Sequence, residues 1–173
     1  MKIREWRQSD VPAQAQLAAK TYAETFGHSL TNEELSAQIE ETRSETYFRS
    51  LMGRDTVLVA TLDDQLVGYI QLGDVGTNLQ GVEPGPNDQA VQALYVDADH
   101  QGRGIGRSLM DAAFAHPRLR ESDHVFIDVW GENKRALAFY QDYGFEAVGT
   151  RDVTADGKVI GQDLVLMRPS RTD

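Results

Sequence analysis

The 173-residue chain has no cysteine. That excludes a disulfide framework, a thiolate metal site and a cysteine nucleophile, and it is compatible with a reducing compartment. No apolar run approaches the ~20 residues that a membrane span needs. The first residues, Met1-Lys2-Ile3-Arg4-Glu5-Trp6-Arg7, lack the apolar core of a signal peptide. The expectation is a cytoplasmic protein with no membrane partner. Basic residues are scarce, 17 Lys and Arg against 27 Asp and Glu, for a formal net charge of −10. A nucleic-acid binder needs a basic face, so no nucleic-acid partner is expected. An acidic balance attracts a cationic substrate such as an amine, although it also serves solubility alone. The four histidines, at 28, 100, 116 and 124, are scattered. No His-Glu-x-x-His spacing occurs, so no metal is expected. No Gly-x-Ser-x-Gly elbow occurs either, which leaves a serine hydrolase unsupported.

The length suits a single domain, residues 1–173, burying about 70% of the surface of its unfolded chain. Apolar residues make up 40% and charged residues 25%, a globular composition. There is no internal repeat. The Gly/Pro-rich run 81–88 reads as an exposed loop between strands. Residues 2–7 alternate as a first strand. Ser9 or Asp10 can cap a helix with Pro12 in its first turn. Thr31 and Glu34 form a capping box for a second helix running to Leu51. Residues 56–61 and 66–72, joined at Asp63-Asp64, read as a hairpin. Strands are expected at 91–96, 125–129, 146–151 and 160–167. Helices are expected at 106–115, stopped by Pro117, and at 134–142, ending at Gly144. The order β-α-α-β-β-β-α-β-α-β-β predicts a mixed α/β chain and excludes a helical bundle or a β-sandwich.

The most informative segment is Leu94-Tyr95-Val96-Asp97-Ala98-Asp99-His100-Gln101-Gly102-Arg103-Gly104-Ile105-Gly106-Arg107. A strand enters a loop with three alternating glycines and leaves directly into a helix. Glycines let backbone N–H groups turn toward an anion at close range. The helix N-terminus adds unpaired donors and the positive end of its dipole. Arg103 and Arg107 add charge. The pattern suits a pyrophosphate. It is not a P-loop, because no Lys-Ser or Lys-Thr follows the last glycine. Nor does Gly-x-Gly-x-Gly fit the dinucleotide spacing.

Gln101-Gly102-Arg103-Gly104-Ile105-Gly106 resembles the signature of the GNAT superfamily of acyl-CoA N-acyltransferases. A second segment in the order of that family follows: the strand 125–129, then Asn133, Ala136, Phe139-Tyr140 and Tyr143-Gly144-Phe145. The resemblance covers nearly the whole chain. It implies a mostly antiparallel central sheet of about seven strands with a splayed parallel pair and helices on both faces. It implies an acetyl-CoA-dependent N-acetyltransferase with acetyl-CoA as cosubstrate and no metal. Leu94, Tyr95 and Val96 would line the pantetheine arm, and Gln101 to Arg107 (Gln101, Gly102, Arg103, Gly104, Ile105, Gly106 and Arg107) would hold the pyrophosphate. Asn133 would hydrogen-bond near the pantetheine. Tyr140 would lie beside the sulfur as general acid for the leaving thiolate.

Many members of the superfamily carry a glutamate on the strand before the loop, where this chain has Gln89 and Gln92. The general base stays unassigned among Asp88, Glu24, Glu83 and a water chain. The stretch 21–27 with Asn32-Glu33-Glu34-Leu35 is similar to the front helices of the bacterial spermine/spermidine N-acetyltransferase branch. That makes a polyamine or other small cationic amine the expected substrate, with Glu24 as the candidate contact. The alternatives are a protein N-terminal or lysine acetyltransferase and a non-catalytic acyl-CoA-binding regulatory module. A homodimer through the C-terminal strands is compatible with the sequence.

Overall fold

The computed structural model describes residues 1–155 and 158–170. In chain order the elements are β1 (Lys2–Glu5), α1 (Val11–Phe26), α2 (Asn32–Arg43), α3 (Glu45–Leu51), β2 (Thr56–Leu62), β3 (Gln65–Asp74), β4 (Leu79–Gln80), β5 (Gln89–Val96), α4 (Ile105–Ala115), α5 (Pro117–Arg120), β6 (His124–Trp130), α6 (Lys134–Asp142), β7 (Glu146–Ala155) and β8 (Lys158–Pro169). They form two compact units. The first comprises Met1–Gln71 and Ala93–Ala113, and the second comprises Leu72–Gln92 and the described residues from Phe114 onward. Among the described residues no helix is long and apolar enough to cross a membrane.

In the first unit the strand order is β1-β2-β3-β5. β1 runs antiparallel to β2, Lys2 opposite Thr61 and Glu5 opposite Leu58. The turn between β2 and β3 places Asp63 at φ 47° and Asp64 at φ 63°. Two left-handed residues are what a two-residue hairpin turn of the primed type requires, and Asp tolerates that region better than most residues. The core of this unit joins Val11, Leu17 and Ala18 of α1 to Phe48 and Leu51 of α3 and to Val57, Val59 and Tyr69 of the sheet. Burying each large apolar side chain contributes about 1.5–3 kcal/mol. Phe48 is held edge-on by Trp6 and Tyr69, with centroids at 6.0 and 6.1 Å.

The helix starts follow local chemistry. Asp10 does not cap α1 with its side chain. Its carboxylate accepts from Arg7 N at 2.7 Å and from Arg4 Nη1 at 2.6 Å, closing the 3₁₀ turn Gln8–Asp10 and tying it to β1. The capping box of α2 is present: Glu34 N donates to Thr31 Oγ1 at 3.2 Å, and Thr31 N donates to Glu34 Oε2 at 2.8 Å. The single helix expected to run to Leu51 is instead two helices. Ser44 leaves the helical region (φ −75°, ψ 164°), and its Oγ accepts from Tyr47 N at 3.2 Å as a new N-cap. Packing explains the break. α2 has no buried residue, whereas α3 buries Phe48 and Leu51 and must turn to reach the core.

In the second unit the order is β5-β6-β8-β7-β4. β5 and β6 are parallel, Gln89 opposite Val125 and Ala90 opposite Phe126, the parallel pair expected within a mixed sheet. β6 is antiparallel to β8 from His124–Pro169 to Trp130–Asp163. β8 is antiparallel to β7, with a register shift between Ala147 and Gly149. Among the described residues β4 brings the strands to eight, one more than expected, pairing Leu79 with Arg151 and Gln80 with Thr150. A Cβ at position 149 would lie 2.2 Å from Gln80 O, so β4 can pack there only against glycine. Two residues carry no alternation that a sequence pattern could reveal. Leu79, Val82, Val148 and Met167 pack around Ala90, Phe126 and Val165 as the core of this unit. α4 ends at Ala115, as Pro117 requires, but Pro117 then opens α5, with His116 as N-cap accepting from Arg118 N at 3.2 Å.

Candidate active site

The glycine loop belongs to the first unit. β5 hands over to it at Asp97, whose N–H donates to Val67 O at 2.9 Å. The Asp97 carboxylate accepts from Lys20 Nζ at 3.0 Å and from Asp99 N at 3.1 Å. The hydrogen bond from Lys20 holds the Asp97 carboxyl below the usual carboxylate range, against the effect of burial. Gln101 Nε2 donates to Val96 O at 3.1 Å, fastening the loop back on the strand. Gly102 and Gly104 then adopt φ 76° and 77°. A Cβ at either would meet nothing within 4 Å. The glycines answer to a backbone conformation that side chains avoid, and the space above them is open.

The first helical hydrogen bond of α4 runs from Ser108 N to Gly104 O at 2.9 Å. The amides of Ile105 and Gly106 precede it and have no intrahelical acceptor. Ile105, Leu109, Met110 and Ala113 form the buried face of α4, while Arg103 and Arg107 are exposed. Packing is close enough that a Cβ on Gly68 would lie 3.0 Å from Tyr95 O and 3.3 Å from Leu109 Cδ1. The loop therefore combines left-handed glycines, an open surface and two exposed cations at the start of a helix. That donor set fits the oxygens of a pyrophosphate.

Leu94, Tyr95 and Val96 are half-buried on β5. Strand alternation puts Leu94 and Val96 on one face and Tyr95 on the other. The Tyr95 ring stacks on Tyr69 at 5.8 Å. Glu24 is exposed and lies 3.8 Å from Lys20, its i,i−4 neighbour. Glu34 is engaged in the capping box, so Glu24 and Glu34 both have local partners.

Asn133 and Tyr140 belong to the second unit. Asn133 is the N-cap of α6, its Oδ1 accepting from Ala136 N at 3.1 Å, which leaves the Nδ2 hydrogens as its donors to a ligand. Tyr140 is 6% exposed and packs edge-on against Phe139 and Phe145 at 5.3 and 5.9 Å. α6 ends at Gly144 with φ 81°, as expected, and Phe145 N returns to Tyr140 O at 3.1 Å.

Of the base candidates, Asp88 is structural. One carboxylate oxygen accepts from Gly85 N at 2.8 Å, and the other accepts from His124 N at 3.0 Å. Glu83 is exposed on its loop. The structure brings together a carboxylate pair that the sequence reading missed. Arg151 Nη1 lies 2.9 Å from Asp128 Oδ2, and its Nη2 lies 3.8 Å from Asp163 Oδ2. The Asp128 and Asp163 side chains are 22% and 16% exposed. Burial raises both carboxyls; Arg151 opposes it, yet Asp163 is pushed up to about 6. The three residues come from β6, β7 and β8 and share no local motif. The one trace in the sequence is a carboxylate inside the apolar run Phe126-Ile127-Asp128-Val129, where an unpaired charge would be costly.

The comparisons with known proteins agree with this geometry. The model of the acetyltransferase (GNAT) family matches residues 16–145. An uncharacterized N-acetyltransferase of Lactobacillus delbrueckii subsp. lactis is 27% identical over 146 residues, 83% of each chain. The N-alpha-acetyltransferase RimI of Mycobacterium tuberculosis is 35% identical over 62% of this chain and 61% of its own. Matches to mycothiol acetyltransferases are shorter; the one from Beutenbergia cavernae is 47% identical over 34% of this chain, and only 20% of its own length is covered. Among solved structures, PaiA N-acetyltransferase from Thermoplasma acidophilum, in complex with coenzyme A, superposes with a TM-score of 0.75 at 19% identity, over 97% of this chain and 98% of that one. With its family model matched over most of its length, on the fold that carries this loop, the chain belongs to the acetyltransferase (GNAT) family and is an acyltransferase.

Proposed function

We propose that the chain transfers acetyl from acetyl-CoA to an amine, in one domain spanning residues 1–173. The observation that carries the reading is the loop in which Gly102 and Gly104 adopt left-handed backbone beneath open space at the start of α4. The loop amides, with Arg103 and Arg107, would hold the pyrophosphate. Bound acetyl-CoA supplies the activated acyl group as a thioester. Leu94 to Val96 would line the pantetheine arm, and their backbone amides are the donors available to the charge that develops on the acyl oxygen. Asn133 would donate through Nδ2.

The amine must lose a proton before it attacks. The proposed proton acceptor is Asp163, paired with Asp128 across Arg151, because a carboxyl near 6 is mostly ionised at neutral pH yet basic enough to accept. Tyr140 would protonate the leaving thiolate. A phenol is a weak acid, but the developing thiolate is a basic partner. A polyamine remains one acceptor class. Peptide amines are another, on the similarity to RimI and to the peptidyl-lysine N-acetyltransferase YjaB of Escherichia coli K12, which is 30% identical over 74% of each chain.

The test is free-CoA release from acetyl-CoA across a panel of spermidine, amino acids and short peptides. Turnover of one class establishes the activity and its acceptor. Acetyl-CoA binding with no turnover of any amine would favour a non-catalytic acyl-CoA-binding module instead.

A further inference from the structure

The first unit contains a cation that its own fold does not neutralise. Arg43 is the last residue of α2, and its guanidinium carbon lies 4.0 Å from the centre of the Tyr22 ring. Nη1 donates to Thr42 Oγ1 on the same helix. Nε is buried and has no hydrogen-bond partner among the described residues. The groups that act on this guanidinium are phenols. Burial works to lower its affinity for the proton, Tyr95, Tyr69 and Tyr22 work to raise it, the net direction is upward, and among the described residues no carboxylate takes part. Tyr69 is 1% exposed and burial drives its phenol strongly upward, so it stays neutral. A half-buried guanidinium with a buried, idle Nε–H and phenols as its described neighbours is costly, because charge is tolerated inside a protein when it is paired.

The location gives that charge a use. Tyr95 sits on β5 between Leu94 and Val96, on the strand that enters the glycine loop. Tyr95 is among the phenols that act on the Arg43 guanidinium, and its ring stacks on Tyr69, which puts Arg43 beside the strand whose backbone is proposed to carry the acyl group. The cation–π contact with Tyr22 and the Thr42 bond hold the guanidinium plane in place. A planar fork of donors held rigidly among aromatic rings suits a planar carboxylate, which it can take in two parallel hydrogen bonds.

We propose that Arg43, framed by Tyr22, Tyr69 and Tyr95, is an anchor for a carboxylate on the acceptor, so that the amine acetylated belongs to a molecule that also carries a carboxylate. This rests on the acetyltransferase reading above and narrows it: an amino acid or carboxylate-bearing peptide is favoured over a polycation.

The experiment compares kcat/KM for matched acceptors with and without the carboxylate, such as L-phenylalanine with phenethylamine and L-leucine with 3-methylbutylamine, beside spermidine. It uses wild type, Arg43→Gln and Arg43→Lys. Wild type should prefer the carboxylate member by about 10²-fold, the expected loss for one buried charge-assisted pair. Arg43→Gln should reduce that ratio to near one and Arg43→Lys should restore part of it, with acetyl-CoA affinity unchanged in both. Equal or better turnover of spermidine and phenethylamine by wild type would overturn the proposal. So would an Arg43→Gln variant that weakens acetyl-CoA binding, which would assign Arg43 to the cosubstrate.

A second readout needs no turnover: thermal stabilisation by benzoate or acetate alone. Wild type should be stabilised and Arg43→Gln should not. No stabilisation of wild type by either, or equal stabilisation of both proteins, would sink the anchor even if the enzyme proves active. Benzoate stabilisation specific to Arg43, in a protein that does not bind acetyl-CoA, would keep the anchor and reject the acetyltransferase reading. Arg43→Gln should not lower the melting temperature in the absence of ligand; a clear fall with the carboxylate preference intact would mark a structural residue.

Discussion

Replacing Asp163 with Asn tests the electrostatics of the proposed proton acceptor directly. The Asp163 carboxyl is pushed from its ordinary 3.8 up to about 6, chiefly by burial, with Asp128 adding to the effect and Arg151 opposing it. The folded protein therefore binds this proton more tightly than the unfolded chain does. A group of that kind contributes stability that is fully present below about pH 4 and is lost as pH rises through about 6. At pH 7–8 the ionised carboxylate is a cost of folding. A shift of about two units corresponds to about 3 kcal/mol, and solvent screening at 16% exposure reduces this to about 2 kcal/mol. Asn keeps the shape and removes the charge. Urea unfolding of both proteins at intervals from pH 4 to pH 8 should show Asp163→Asn more stable by about 2 kcal/mol at pH 8. The advantage should shrink through pH 6 and vanish near pH 4. Carboxylates that do not interact with Asp163 titrate alike in both proteins and cancel in the difference. A variant less stable than wild type at pH 8, or a difference that does not change with pH, would refute the assignment and show that Arg151 satisfies the charge.

Three further outcomes follow from the same contacts. The kcat/KM of wild type should rise with pH through about 6 as Asp163 ionises, and Asp163→Asn should flatten that limb; an unaltered profile places the base elsewhere. Tyr140→Phe should lower kcat by about 10²-fold with acetyl-CoA affinity retained, and an unchanged kcat would return Tyr140 to a purely packing role. Asp55, whose side chain is 2% exposed, accepts from Gln71 Nε2 and Arg54 Nε, each at 2.9 Å. Asp55→Ala should cost about 2–3 kcal/mol in urea unfolding because it strands a buried amide donor, whereas exposed Arg54 simply returns to water.

What was legible in the sequence is what depends on neighbours along the chain. The Thr31–Glu34 box, the Asp63-Asp64 turn, the αL stop at Gly144 and the glycine loop each arise within a few residues, and each lies where the pattern put it. The break at Ser44 was half-legible. Serine is a good N-cap, but only the need of Phe48 and Leu51 to reach the core decides that it acts as one. β4 was not legible, since its place depends on the absence of a side chain at Gly149, remote in sequence. The same distance hid the chemistry. Asp128, Arg151 and Asp163 meet only through strand register, and Arg43 reads along the chain as an ordinary solvated charge at the end of a polar helix. On the front helices Glu34 caps α2, as the Thr31–Glu34 box predicts, and Glu24 lies beside Lys20.

The central claim is that the Gly102–Gly106 loop holds the pyrophosphate of acetyl-CoA. Its most direct test is calorimetric titration of acetyl-CoA into wild type and Gly104→Ala. The substitution meets no atom within 4 Å but forces a side chain to φ 77°, a strain of about 1–2 kcal/mol that should tilt the loop amides while leaving the fold intact. Wild type should bind with a one-to-one stoichiometry and Gly104→Ala about tenfold or more weakly, in line with that strain. Wild type that does not bind acetyl-CoA, or a variant that binds it as tightly as wild type, would contradict the account.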